Sequence, residues 1–418
     1  MNEKYHSKDG LIGVRYPSHI GETVHRFVKA GEDVFGFPKN EDYNGEFQEG
    51  FSISQQTISE SGFRSTSTEY IKQFFNIRPN LYVSTMSHVT KILLTKDNIA
   101  YGVEMKRGDE LMTIESKKEI IISGGSIASP QILMLSGIGP KEHLKEMEIE
   151  LKVDSPNVGK NLQDHPILSV EYNTTYYGLR QDDLESTHYI LQYLLTRNNY
   201  LGGSPVLGTA FLNTSKNDLP FPDLQIHFLP SATPCRSFKS LFGWKDDHCQ
   251  IESKDALGFI IVLLHEKSVG YVKLKSKNPF DHPIIDLNFY SHPEDKLKMI
   301  EGIRLVQKLV NSKQFKEFKG EMKKNPKNPN KFDTNEYWNW NIENYGGHLF
   351  HAVGTCKMGK SIENSVVDSR LRVHGVKKLR IVDASIMPTI TSGNTMAPTY
   401  MIAEKAADMI KEDNLKKI

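Results

Sequence analysis

Between His348 and Gly359 the chain reads HLFHAVGTCKMG, two histidines and a cysteine among small residues. Histidine has an unperturbed pKa of ~6.5, so it can accept a proton near neutral pH and pass it on. His351 is therefore a candidate general base. His348 lies three residues earlier, a spacing that one helical turn would align, which admits a metal reading. No third ligand stands at a sensible spacing, so His348 is read as structural or pocket-lining and no metal site is assigned. Cys356 is a candidate reactive thiol, although a lone cysteine is more often a small buried side chain. Cys235 and Cys249 could pair in an oxidising compartment or, with His248, contact a metal. Their spacing fits no standard zinc pattern, and the pairing stays open.

These residues need a scaffold, and hydrophobic periodicity outlines one. A helix is expected from Thr66 to Phe75, capped by Ser65 or Thr66. Alternation then predicts strands at Leu81–Met86, Val89–Leu94 and Ala100–Met105, with a buried strand at Glu119–Ile122. The buried strand ends in Ser123-Gly124-Gly125-Ser126, and a helix is expected from Ser129 to Leu135. A strand, a glycine pair and a helix start let a phosphate or ribose approach backbone N–H groups. Taken alone, such a turn is more often just a turn. Further on, a helix is expected around Tyr189–Leu195, strands at Leu224–Leu229, Phe259–Leu264 and Tyr271–Lys275, and a helix from Asp295 to about Asn311. Near the end, Val366–Val373 alternates, Leu379–Asp383 forms a short strand, Ala384–Pro388 turns, and Thr391–Thr395 is a polar loop. Pro398 is expected to open the last helix, whose N-terminus carries partial positive charge.

Composition bounds the function. The chain has 418 residues, enough for two domains, with 52 Lys+Arg against 51 Asp+Glu. That balance gives no electrostatic reason to expect nucleic acid or a membrane surface as partner. The longest apolar run, Gly258–Leu264, is far short of the ~20 residues a spanning helix needs. The opening MNEKYHSKDG lacks an apolar signal core, so the chain as written is expected to be soluble, its localisation unknown.

Four ordered blocks carry a resemblance. They are Gly125–Gly139 (GSIASPQILMLSGIG), Val158–His165 (VGKNLQDH), His351–Gly359 (HAVGTCKMG), and Val382–Thr389 (VDASIMPT) followed by Ser392–Pro398 (SGNTMAP). In these the chain resembles the glucose–methanol–choline oxidoreductases, and its wording is closest to the insect glucose dehydrogenase-like branch. The resemblance implies an α+β / α/β fold: an FAD-binding, Rossmann-like domain and a substrate domain with an antiparallel sheet. It implies FAD as cofactor, a small alcohol or sugar as substrate, and quinone or oxygen as electron acceptor. Residues 1–164 would form a partial FAD-binding domain, 165–345 the substrate domain, and 346–418 a return to the first. His351 matches the family's catalytic histidine and Asn394 the second catalytic position, which is His or Asn. Val89, Gly125, Asp383, Ala384, Asn394, Thr395 and Ala397 match cofactor-binding positions. Ala352 stands where many relatives have proline or glycine.

The family's G-x-G-x-x-G fingerprint is missing from these residues; the only G-x-G is Gly137-Ile-Gly139, and Glu142 occupies the third glycine's place. The chain thus resembles a relative lacking the Rossmann front, and the 418 residues alone are expected not to hold FAD. Two readings follow: an FAD-dependent alcohol or sugar dehydrogenase represented by a truncated chain, or a catalytically inactive short form binding a small polar ligand. A metal protein built on His348 and His351 is a distant third.

Overall fold

A computed structural model describes residues 3–75, 77–176, 186–215, 217–231 and 255–415. Cys235, His248 and Cys249 lie outside the described residues. The chain folds into two compact units, and it passes between them repeatedly. One unit holds residues up to Tyr82 together with Pro166–Leu264 and Pro293–His348; the other holds Val83–His165, His265–His292 and Leu349 onward.

The first unit is built on an antiparallel sheet. Its strands run in the order Gly50–Ile53, Gly208–Leu212, Leu224–Leu229, Ala256–Leu263, Pro166–Asn173 and Glu321–Met322. Ala256–Leu263 is buried at every position, which is why it reads as an unbroken apolar run rather than an alternation. One face carries Ala210, Ile226, Phe228, Phe259 and Ile261 and packs on the helices Glu22–Phe35 and Pro293–Val310. Phe27 stacks on Phe228 with ring centroids 4.8 Å apart. The other face is buried and mixed: Ser52, Thr209, Gln225 and His227 lie along it with Phe211, Ile260 and Val262. A buried ion pair, Lys298 to Asp223 at 2.9 Å, ties the long helix to the sheet, and Thr214 donates to the same carboxylate through its N–H and hydroxyl. Such pairs persist only when the remaining lone pairs are satisfied, as here.

The second unit holds the motif blocks. An antiparallel meander, Ser87–Leu94, Ala100–Arg107 and Glu110–Glu115, leads into Ile120–Ile122, which pairs in parallel with Leu379–Ile381. Leu133, Met134, Ile138, Val353, Cys356, Val366, Val367 and Ile381 form its core.

Several expected elements shift. Residues 3–82 pack with the antiparallel sheet rather than within a 1–164 body, because Gly50–Ile53 hydrogen-bonds along Gly208–Phe211. Residues 265–292 leave the central segment because Gly270–Lys273 pairs with Lys160–Leu162. Leu81–Met86 is not a strand: its apolar side chains are exposed, and Met86 turns away at φ 57°. The helix expected over 66–75 is reduced to Thr68–Lys72, with Ser67 as a cap that makes no side-chain hydrogen bond. Val366–Val373 forms isolated bridges, Val367 to Met358 and to Val373, instead of a strand. The last helix begins at Met396, two residues before the expected proline. Among the described residues no helix is long and apolar enough to cross a membrane.

Candidate active site

Ligands of open α/β sheets gather outside the carboxyl ends of parallel strands. Here those ends are Ile122 and Ile381, which lie side by side. Ile122 leads through Gly124 into the helix Gly125–Leu135, which starts four residues earlier than periodicity predicts. Ile381 leads to Asp383, the cap of a short 3-10 turn at Ala384–Ile386. Asp383 joins the two strand ends. Its Oδ2 accepts from the Gly125 N–H at 3.0 Å and the Ser129 hydroxyl at 2.6 Å, and its Oδ1 accepts from the Ser385 N–H at 2.8 Å. Gly125 has φ +74°, and a Cβ there would meet nothing within 4 Å. The backbone conformation therefore demands glycine, and the space above it is open.

The His351 loop is docked on that helix by a defect in it. Pro130 lies inside the helix and has no N–H to give to the Ser126 carbonyl. The Thr355 hydroxyl donates to that carbonyl instead, at 2.7 Å. Ser126 answers with its own hydroxyl, which donates to Ala352 O at 2.6 Å. From the other side, Cys356 N–H donates to Ser385 O and Met358 N–H to Ile386 O. Gly354 sits at φ +91°, where a Cβ would fall 2.3 Å from Asn161 O. Only glycine lets the two backbones approach this closely.

That approach pairs two of the sequence blocks. Gln163 and Val353 exchange both backbone hydrogen bonds in an antiparallel bridge, at 3.1 and 2.9 Å. Two residues after Gln163, the His165 carbonyl accepts from the Leu349 N–H at 3.1 Å, and the His165 ring meets that of His351. Their Nδ1 atoms are 2.8 Å apart, and the rings meet edge-on. His165 is fully buried, and its Nε2 lies 3.0 Å from the Thr391 carbonyl. Gln163 holds the segment before Thr391: it donates to Pro388 O and accepts from the Ile390 N–H. His351 is half-buried, and its N–H donates to Asp164 Oδ1 at 2.9 Å. Its Nε2 faces Asn394 Nδ2 at 3.3 Å.

The structure thus brings His351 and Asn394 together, and it joins Asp383 to Gly125. Ala384 opens the 3-10 turn. Thr395 and Ala397 flank Met396, the first residue of the Met396–Leu415 helix. Thr395 is buried and Ala397 exposed. Val89 stands apart on the meander, opposite Met105 and beside a bulge at Thr90. His348 lies in a two-residue strand pairing Pro166, and Phe350 follows at φ 57°, so no helical turn aligns it with His351. Cys356 is fully buried, and burial pushes its thiol far above the ordinary range, which makes it a poor nucleophile. His165 was missed as a site residue, although it ends the Val158–His165 block. Thr391 and Ser392 were missed too; Ser392 hydroxyl and His265 Nε2 are 2.6 Å apart.

The sequence pattern described as GMC oxidoreductase matches residues 3–167 with its N-terminal part and 266–403 with its C-terminal part. The chain belongs to the GMC oxidoreductase family. A Drosophila pseudoobscura pseudoobscura glucose dehydrogenase [FAD, quinone] is 34% identical over 98% of this chain, which spans 65% of that protein's length. An oxygen-dependent choline dehydrogenase of Rhizobium rhizogenes is 34% identical, over 98% of this chain and 72% of its own length. An alcohol dehydrogenase [acceptor] of Pseudomonas putida is 35% identical, over 97% and 71%. The insect branch is therefore one of several equally similar groups. Among solved structures, Aspergillus oryzae formate oxidase, a protein described for modification of its FAD, superposes with a TM-score of 0.86 at 26% identity, over 97% of this chain and 73% of its own.

Proposed function

We propose that this GMC oxidoreductase oxidises the CH–OH group of a small alcohol or sugar, with FAD as its cofactor and His351 as the proton acceptor. The observation that carries the reading is the 3.3 Å contact between His351 Nε2 and Asn394 Nδ2, at the amino end of a 20-residue helix. Alcohol oxidation removes a hydroxyl proton and a hydride from one carbinol. FAD, when bound, supplies the hydride acceptor, and an external quinone or oxygen reoxidises it.

The chain's own residues do the rest. His351 Nε2 takes the hydroxyl proton, and the Asn394 amide N–H donates to the oxygen as charge develops on it. The loop that holds His351 is tied at Ser126, Asn161, Asp164 and Ser385, so the base is placed by backbone rather than by its own rotamer alone.

The residues present fit an FAD reached from this side. Gly125 offers open backbone at a strand end, and Ala384, Asn394, Thr395 and Ala397 surround the strand-end turn and the helix start, whose partial positive charge suits a ligand that becomes anionic on reduction. Val89 would contact it by its backbone from the meander. Asp383 has both oxygens committed within the chain, so its part is to hold the turn.

The test is to purify the protein with added FAD, record whether the flavin bands stay with it, and mix the flavin-loaded protein anaerobically with choline, glucose and simple primary alcohols in turn. Bleaching of the flavin absorbance by at least one donor, with formation of its carbonyl product, is expected. A bound flavin that no hydroxyl donor reduces would overturn the reading.

A further inference from the structure

We infer that His165 is a positioning residue that sets the tautomer of His351, and so decides which of its nitrogens can take a proton. The chain of reasoning begins at the Thr391 carbonyl. A carbonyl only accepts, so the His165 Nε2 that lies 3.0 Å from it carries a hydrogen. A neutral imidazole has one N–H, so His165 Nδ1 is bare and must accept. The two Nδ1 atoms are 2.8 Å apart, so one of them donates, and that donor is His351. His351 therefore holds its hydrogen on Nδ1 and its lone pair on Nε2. That is the nitrogen 3.3 Å from Asn394 Nδ2, whose amide hydrogen can point to it.

Were His165 doubly protonated, the order would reverse. His351 Nδ1 would accept, Nε2 would carry the hydrogen, and no base would face Asn394. The neutral relay keeps the lone pair on the working side. It also serves the product of proton transfer. When Nε2 gains the hydroxyl proton, the imidazolium still donates Nδ1–H to His165, now as a charge-assisted bond. Only one proton moves, from the donor hydroxyl to His351 Nε2, and His165 neither gains nor loses one.

The arrangement is built rather than incidental. His165 is fully buried. It stands two residues after Gln163, which bridges Val353 in the His351 loop, and the carbonyl that orients it belongs to the segment Gln163 holds on both edges. One glutamine thus aligns both partners of the buried histidine.

The catalytic consequence rests on the proposed role of His351; the tautomer does not. Nitrogen chemical shifts of ring-labelled histidines, with His351 assigned by its loss in His351→Ala, report the tautomer directly. The parent should show His351 protonated on Nδ1 and bare on Nε2. His165→Asn keeps an acceptor oxygen near the place of Nδ1 and should preserve that pattern. His165→Leu removes the acceptor and should move the hydrogen wholly or partly to Nε2. In flavin-loaded protein, His165→Leu should lower kcat by ~10–100-fold with KM within a few-fold, and His165→Asn should recover most of the loss. A parent His351 protonated on Nε2, or an unchanged tautomer in His165→Leu, overturns the inference. If His165→Leu does not fold, the parent and His165→Asn spectra decide it: Nδ1 protonation in both supports the relay, and Nε2 protonation in either overturns it. Unaltered turnover in His351→Ala alongside the expected tautomers would sink the functional reading while leaving the relay standing.

Discussion

Replacing Asp383 by asparagine isolates the element that joins the two strand ends. The carboxylate accepts three hydrogen bonds, from Gly125 N–H, Ser129 Oγ–H and Ser385 N–H, and is nearly buried. A carboxamide has one acceptor oxygen. Its best orientation puts that oxygen at the Oδ2 place and keeps Gly125 and Ser129. The amide NH2 then faces the Ser385 N–H, donor against donor. One charge-assisted bond worth ~1.5–3 kcal/mol is lost, and two others fall to neutral strength, partly offset by removing a buried charge. We expect Asp383→Asn to cost ~2–4 kcal/mol. Urea unfolding, followed by circular dichroism and by exchange of the Ser385 amide, measures it. Ser129→Ala should be coupled to Asp383→Asn, the double variant losing ~1–2 kcal/mol less than the sum of the single losses. A cost under ~0.5 kcal/mol, or strict additivity, would refute the clamp.

Three further outcomes are expected. Asn394→Ala should lower turnover while Asn394→His is better tolerated, since histidine can donate a similar hydrogen bond; equal, severe losses in both would mean that Asn394 only shapes the loop. Gly354→Ala forces a Cβ into Asn161 O at φ +91°, so a loss of at least ~2 kcal/mol by urea unfolding is expected, and near-neutrality would contradict the close approach. Asp413 is held down to about 2 by hydrogen bonds from Arg380 and then Arg370. Since that lies below the ordinary carboxylate value of ~3.9, its stabilisation is complete above about pH 4 and is lost as pH falls toward 2; Asp413→Asn should flatten the stability–pH curve in that window, and an unchanged acid limb would argue against the pairing.

The nearness of the candidate residues was legible where the blocks carry it. His351 and Asn394 were identified from their motif positions, and the structure brings them together. Their support was not legible, because it comes from contacts across long stretches of chain. His165 and His351 are 186 residues apart, and Asp383 and Ser129 are 254 apart. No local pattern announces a bridge between Gln163 and Val353. Periodicity found the long helix over 293–310 and the buried strands at 224–229 and 256–263, where apolar runs are strong. It failed at Leu81–Met86, where alternating apolar residues stay exposed. It also placed the Gly125 helix late, because a glycine pair looks like a turn until Asp383 is seen capturing the Gly125 N–H. The N-terminal strand at Gly50–Ile53 is only four residues long, so the brief alternation of Phe51, Ser52 and Ile53 is too short to mark it.

The central claim is that His351 takes the hydroxyl proton of an alcohol donor. Rapid anaerobic mixing of flavin-loaded parent and His351→Ala with the same donor, followed at the flavin absorbance, tests it most directly. Bleaching should slow by ~10²–10⁴-fold in the variant while the flavin stays bound; bleaching within a few-fold of the parent would contradict it.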